Sequence, residues 1–151
     1  MGLQQRSALE WAMRGCAGAA MVGIARCCEN GWRDVAWVYL FALGLVLWGA
    51  CGAVMAVARK IWPLAAALYV HLAAAPLIAF VVAAVHKLLV PEFGALQRAA
   101  LLTALIVVLD AAVVAPVFER SYAMFRSVIG TWAPFAAIFL ASLAAGILIP
   151  A

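Results

Sequence analysis

Residues Val35 to Val85 read VAWVYLFALGLVLWGACGAVMAVA, then RK, then IWPLAAALYVHLAAAPLIAFVVAAV. Two apolar runs, each longer than 20 residues, are separated only by Arg59 and Lys60. A helix rises about 1.5 Å per residue, so either run matches the roughly 30 Å of hydrocarbon in a bilayer. A soluble helix buries one apolar stripe, whereas these runs are apolar on every side. Backbone groups in hydrocarbon must be satisfied within the segment, which makes helix the conformation such a stretch takes. So short a break predicts that the two helices double back on each other as a hairpin.

Two further runs follow. Ala99 to Phe118 lies between Arg98 and Glu119-Arg120, and Val128 to Ile149 is stopped by Pro150. The predicted fold is therefore all-α: a polytopic integral membrane protein with an antiparallel four-helix transmembrane bundle over residues 35–151. Its spans are placed at about 35–58, 61–85, 99–118 and 128–149. Trp62-Pro63 opens the second helix, where a proline's missing N–H costs nothing. Val90-Pro91-Glu92-Phe93-Gly94 punctuates the next connection. Trp32, Trp37, Trp62 and Trp132 fall near run ends, as an interfacial aromatic belt requires. Trp48 falls inside a run and reads as a packing or lipid-facing residue.

Composition points the same way. Of 151 residues, 70% are hydrophobic and 11% charged, with a mean hydropathy of +1.15. Soluble domains hold roughly 45–50% and 25%, and a chain this short cannot hide the excess in its own core. Disorder and nucleic-acid binding are excluded, and membrane lipids are the expected surroundings. The net charge of +4 comes from residues at run ends. Arg33, Arg59, Lys60, Lys87, Arg98, Arg120 and Arg126 are placed to snorkel toward headgroups.

Residues 1–34 form a separate N-terminal segment. The stretch Cys16 to Ala25, CAGAAMVGIA, lies between Arg14 and Arg26. It has a signal-like look but is too short to span unaided. It is read as an interfacial or partly buried helix, with a tilted fifth span from Ala8 to Ala25 as the alternative. Flanking charges divide evenly: Arg26, Arg33, Lys87 and Arg98 against Arg59, Lys60, Arg120 and Arg126. Arg6 and Arg14 tip both termini toward the cytoplasm, in a plasma membrane or a bacterial-type inner membrane.

The chemistry concentrates in a few polar residues. Asp110 sits halfway along the third run, where a carboxylate costs about 2.5–3.5 kcal/mol on insertion scales and cannot snorkel. It must face an interior, a cavity or a partner. Thr103 and Ser121, seven residues before and eleven after, lie within about 20° of it on an ideal helix. The three form a polar stripe that either lines a path or is satisfied by backbone carbonyls. His71 is near the middle of the second run, and imidazole is the usual proton carrier. It is read as Asp110's counterpart, against the alternative of a satisfied core histidine. Pro76, Pro116 and Pro134 free the carbonyls of Leu72, Ala112 and Gly130, which suggests kinks opening a small cavity. Glu119, Arg120, Tyr122 and Arg126 cluster where the third helix leaves the membrane. They form either a headgroup site or an ordinary interfacial anchor.

The small pairs Gly52/Ala56 and Ser142/Gly146 favour close helix packing. Cys16, Cys27, Cys28 and Cys51 fit no zinc or haem spacing, though Cys27 and Cys28 could carry palmitate, and Cys51 reads as a small hydrophobe. His71 and His86 are about 22 Å apart along one helix, so they cannot clamp one iron. No catalytic set, cofactor or metal is assigned. The leading function is a small oligomeric channel or ion/proton-coupled transporter using Asp110, His71 and Thr103, with a small ion or solute as cargo and a homo-oligomer as the expected assembly. The alternatives are an accessory or assembly subunit of a larger membrane complex, and a small membrane enzyme acting on a lipid or other amphiphile.

Overall fold

A computed structural model of the chain describes residues 35–150. The expected N-terminal interfacial helix, and Cys16, Cys27 and Cys28, lie outside the described residues. The chain divides into two units, Met1–Trp37 and Val38–Ala151; the second carries everything described except the first turn of the first helix. Among the described residues there is helix and no strand.

Helix α1 spans Val35–Ile61 and α2 spans Leu64–Leu89. Helix α3 spans Ala95–Leu109 and continues as a π-helix over Asp110–Phe118. A 3-10 turn at Tyr122–Arg126 and a π turn at Val128–Trp132 lead into α4, Ala133–Leu148. The stretches Val35–Ile61, Leu64–Leu89, Ala95–Phe118 and Val128–Leu148 are each long and apolar enough to cross a membrane.

Helix α2 starts three residues later and ends four residues later than the sequence reading, and two further boundaries differ for local reasons. Helix α1 runs through Arg59 and Lys60 and ends at Trp62-Pro63, with the Trp62 N–H still donating to Ala58 O at 2.9 Å. Arginine and lysine are good helix formers. A proline has no N–H to give and disfavours helix at the residue before it, so Pro63 sets the break and caps α2 in extended geometry. Helix α3 begins four residues early, capped by Gly94, and the Arg98 N–H donates to Gly94 O at 3.0 Å. Arg98 is thus inside a first helical turn. It is fully buried and does not snorkel as expected.

Helices α1 to α4 share one core. Leu47 and Cys51 of α1 meet Ala75, Ala79 and Val82 of α2, Ile106 of α3, and Phe135 and Ile138 of α4. A second cluster joins Leu40, Ala83, Leu102 and Ala145. Helix α2 buries alanines at 67, 75, 79 and 83, all on one face at i,i+4 spacing, and small side chains let neighbours approach closely. Backbone comes close to backbone between α3 and α4. A Cβ on Gly146 would lie 2.7 Å from Ala95 Cβ and 2.9 Å from its Cα. Gly52 is different: nothing lies within 4 Å of where its Cβ would be. Leu77, Val81, Val108, Leu140 and Ile147 point outward, as apolar residues do when lipid is their solvent.

The end of α3 widens where Pro116 withholds a donor. In a π-helix each N–H reaches back five residues, and Glu119 N–H donates to Val114 O at 2.9 Å. The chain then reverses at Arg120, whose φ is +48°, a left-handed geometry that costs a non-glycine residue roughly 1–2 kcal/mol.

Candidate functional site

The interior faces of α1, α2, α3 and α4 leave a cavity of about 690 Å³. Trp48, His71 and Asp110 line its deep part; Arg59, Glu119 and Ser127 line its outer end. About 16 Å of helix axis separates Trp48 from Arg59, so the cavity runs from within the spans to one end of the helices.

Asp110 is the first residue of the π-helix. One of its carboxyl oxygens accepts a hydrogen bond from Trp48 Nε1 at 2.9 Å. Trp48 is therefore part of the site, a correction to its reading as a packing or lipid-facing residue. Nothing in the run around Trp48 signals this, because its partner is 62 positions away. His71 reaches the same cavity from α2, with no hydrogen bond to Asp110; its Nδ1 is buried without a partner among the described residues. Neither residue is at mid-span. The early start of α3 puts Asp110 beyond its middle, and His71 is seven residues into α2. Both belong to the half of the spans that leads to Arg59 and Glu119.

Thr103 is placed elsewhere. It lines a separate, shallow apolar groove with Val107, Trp132, Phe139 and Leu140. Phe135 lines both that groove and the cavity and stands between them. Thr103 and Asp110 share an angular position on α3 but differ by about 10 Å along its axis, over which the facing wall changes. Ile106 is the α3 residue one turn before Asp110 that lines the cavity. Ser121, the third member of the expected stripe, does line it.

The interfacial cluster also divides. Arg59 donates to Glu119 at 3.0 Å, joining α1 to the end of the π-helix at the cavity's outer end, with both side chains about half exposed. Arg120, Tyr122 and Arg126 are exposed and do not line the cavity. Tyr122 stacks on Phe125, with ring centroids 6.4 Å apart. Trp132 Nε1 donates to Phe125 O at 2.8 Å, so this segment is tied together by aromatics.

A second polar group, not singled out by the sequence, lies where α2 passes into α3. Arg98 Nε donates to His86 Nδ1 at 2.9 Å, and one terminal nitrogen donates to Val90 O and Phe93 O, each at 2.9 Å. Accepting at Nδ1 makes His86 neutral, with its hydrogen on Nε2. The His86 ring meets Phe93 edge-on at 5.4 Å. Lys87 Nζ donates to Gly146 O at 2.8 Å, capping a carbonyl near the end of α4. The order Pro91, Gly94, Arg98 was the available signal, since a helix opening directly after Gly94 places Arg98 in its first turn.

No family model, curated protein or solved structure matches this chain. Among the described residues, no three histidine, cysteine or acidic side chains gather as a metal site would require.

Proposed function

We propose that the chain is a small ion- or proton-coupled transporter whose binding site is the Asp110 cavity. The observation that carries this reading is a costly carboxylate placed on a cavity wall instead of among saturating donors. Trp48 gives it one hydrogen bond, and the cavity extends from it to the half-exposed Arg59 and Glu119. Intramembrane ionisable residues are expensive, and facing a cavity is one of the settings in which they persist. His71, on α2, supplies a second group able to hold or pass a proton in the same cavity. The outer Arg59–Glu119 pair takes the place of a gate.

The bundle that holds the site is antiparallel in this proposal. The connections at Trp62-Pro63, at residues 90–94 and at residues 119–127 are too short for a helix to return before the next begins. The membrane is a plasma membrane or bacterial-type inner membrane, with both termini cytoplasmic, and the assembly is a homo-oligomer. Particle mass in lipid discs tests the assembly, and a strictly monomeric active particle removes it. The transport reading is tested with purified protein in liposomes, by comparing proton, cation and small-solute flux for the parent and Asp110→Asn. Asparagine keeps the size and accepts from Trp48, but carries no charge. Flux should collapse while helix content and assembly persist. An active parent matched by an equally active Asn variant overturns the proposal.

A further inference from the structure

We infer that the cavity takes a monovalent organic cation of substantial apolar bulk, bound with its positive charge against Asp110. This deepens the transport reading and rests on it only for the movement of the cargo.

The charge of the lining is the first argument. Its ionisable side chains are Asp110, Glu119 and Arg59, beside the neutral-range groups His71 and Cys51. Arg59 is spent on Glu119 at the outer end, which leaves one carboxylate uncompensated, and that carboxylate is the deep one. A single negative charge on a largely apolar wall selects a single positive charge. An anionic cargo would meet no free cation on these walls.

The rest of the lining decides what kind of cation. A small inorganic ion needs several oxygens in a shell; hard cations such as calcium take six to eight. Here the lining offers one carboxylate outside an ion pair; the hydroxyl residues Ser121, Ser127 and Thr131 are already engaged within the protein, and Leu68, Ile106, Val114 and Ile138 make much of the remaining wall apolar. An ion stripped of water would gain too few ligands. A cation carrying its own hydrocarbon fills the same space favourably. Trp48, Phe118 and Phe135 line the cavity, and aromatic faces attract cations, tryptophan most strongly. The indole that binds Asp110 therefore stands where the cation must also come. The volume of about 690 Å³ is that of sites for drug-sized ligands. Gly49, Gly52, Ala53 and Ala56 supply this width on α1, since any larger side chain there would occupy it.

The experiment uses the full chain in discs of uncharged phosphatidylcholine, with empty discs as baseline. Radiolabelled tetraphenylphosphonium is the probe, competed by tetraphenylborate, which has the same shape and opposite charge. Saturable binding is expected, weakened at least about tenfold by Asp110→Asn and retained by Asp110→Glu. Gly52→Phe keeps the charge but fills open space. It should abolish binding without loss of folding, which covers the case in which the Asn variant misassembles. Three results would each overturn the inference: equal binding by a folded Asn variant, competition by tetraphenylborate as effective as by unlabelled cation, or no binding above empty discs. Uptake into liposomes separates the two proposals. Asp110-dependent binding without uptake of the cation or any other flux sinks transport and leaves the cation site. Asp110-dependent flux of protons or another solute without cation binding sinks the cargo class and leaves transport.

Discussion

The chain places charge inside its long apolar helices in two ways. At the α2–α3 connection, Arg98 is enclosed and gives hydrogen bonds to His86, Val90 and Phe93. At the other end of the same helices, Asp110 holds one hydrogen bond from Trp48 and faces a cavity. Both residues are expensive in hydrocarbon. The first is held by its own chain through Nε and one terminal nitrogen, while its other terminal nitrogen is buried without a hydrogen-bond partner among the described residues. The second is left with room beside it. The difference separates a charge that builds the fold from one available to a ligand, and it is visible only when partners and space are considered together.

The sharpest way to break this contrast is to remove the enclosed charge. Arg98→Met leaves His86 Nδ1 and two carbonyls without the donor they have in a buried site. It should destabilise the protein by on the order of 4 kcal/mol, read as a fall in the unfolding midpoint in mild detergent. Asp110→Asn should leave that midpoint nearly unchanged. If Arg98→Met proves as stable as the parent, Arg98 is not a charge that builds the fold. A smaller effect is expected from packing. Gly146→Leu drives a side chain into Ala95 and should cost about 1–3 kcal/mol, whereas Gly49→Ala, with nothing within 4 Å of the added carbon, should be neutral or stabilising by up to about 1 kcal/mol. Equal destabilisation by both would contradict the difference between the two helix faces.

On the cavity side, Trp48→Phe keeps the ring and removes the donor to Asp110. About 1 kcal/mol of stability should be lost, and the shift should vanish in an Asp110→Leu, Trp48→Phe double-mutant cycle, where no acceptor remains for the indole. Unchanged unfolding for Trp48→Phe alone would show that the hydrogen bond contributes nothing. The smallest effect belongs to Arg59→Gln. The Arg59–Glu119 pair is half exposed, and such pairs contribute about 0.2–1 kcal/mol, less in high salt. Its replacement should barely move stability while altering the rate at which a probe enters the cavity, followed by stopped-flow quenching of tryptophan fluorescence.

The helices were legible because hydrocarbon thickness is a length rule, and runs such as Val35–Ala58 satisfy it without knowledge of any neighbour. Asp110 and His71 were legible as costs: each is the odd residue in an apolar run, and each lines the cavity. What the runs could not convey was partnership. Trp48 looks like any apolar residue until Asp110 is placed opposite. Arg98 looks like a snorkelling anchor until Gly94 is known to cap α3 directly before it. The grouping of Thr103 with Asp110 failed on axial distance, since angular position on a helix says nothing about what stands opposite about two turns away. The widened turns after Asp110 were not foreseen as such, although Pro116 marked where the regular ladder had to fail.

That π-helical stretch acts as a reserve of chain. Each of its hydrogen bonds encloses one more residue than an α-helical bond, so the segment Asp110–Phe118 carries more chain than the same path needs. Deleting one residue, Val113 for instance, would draw on that reserve and let the segment relax toward an ordinary helix. The loss is taken up inside the stretch, so Glu119 should stay within reach of Arg59, and Asp110, upstream, under Trp48. The same deletion in the regular part of α3 would turn everything beyond it by about 100°. The stretch therefore lets the chain between the cavity's deep end and its outer end change by one residue without resetting either.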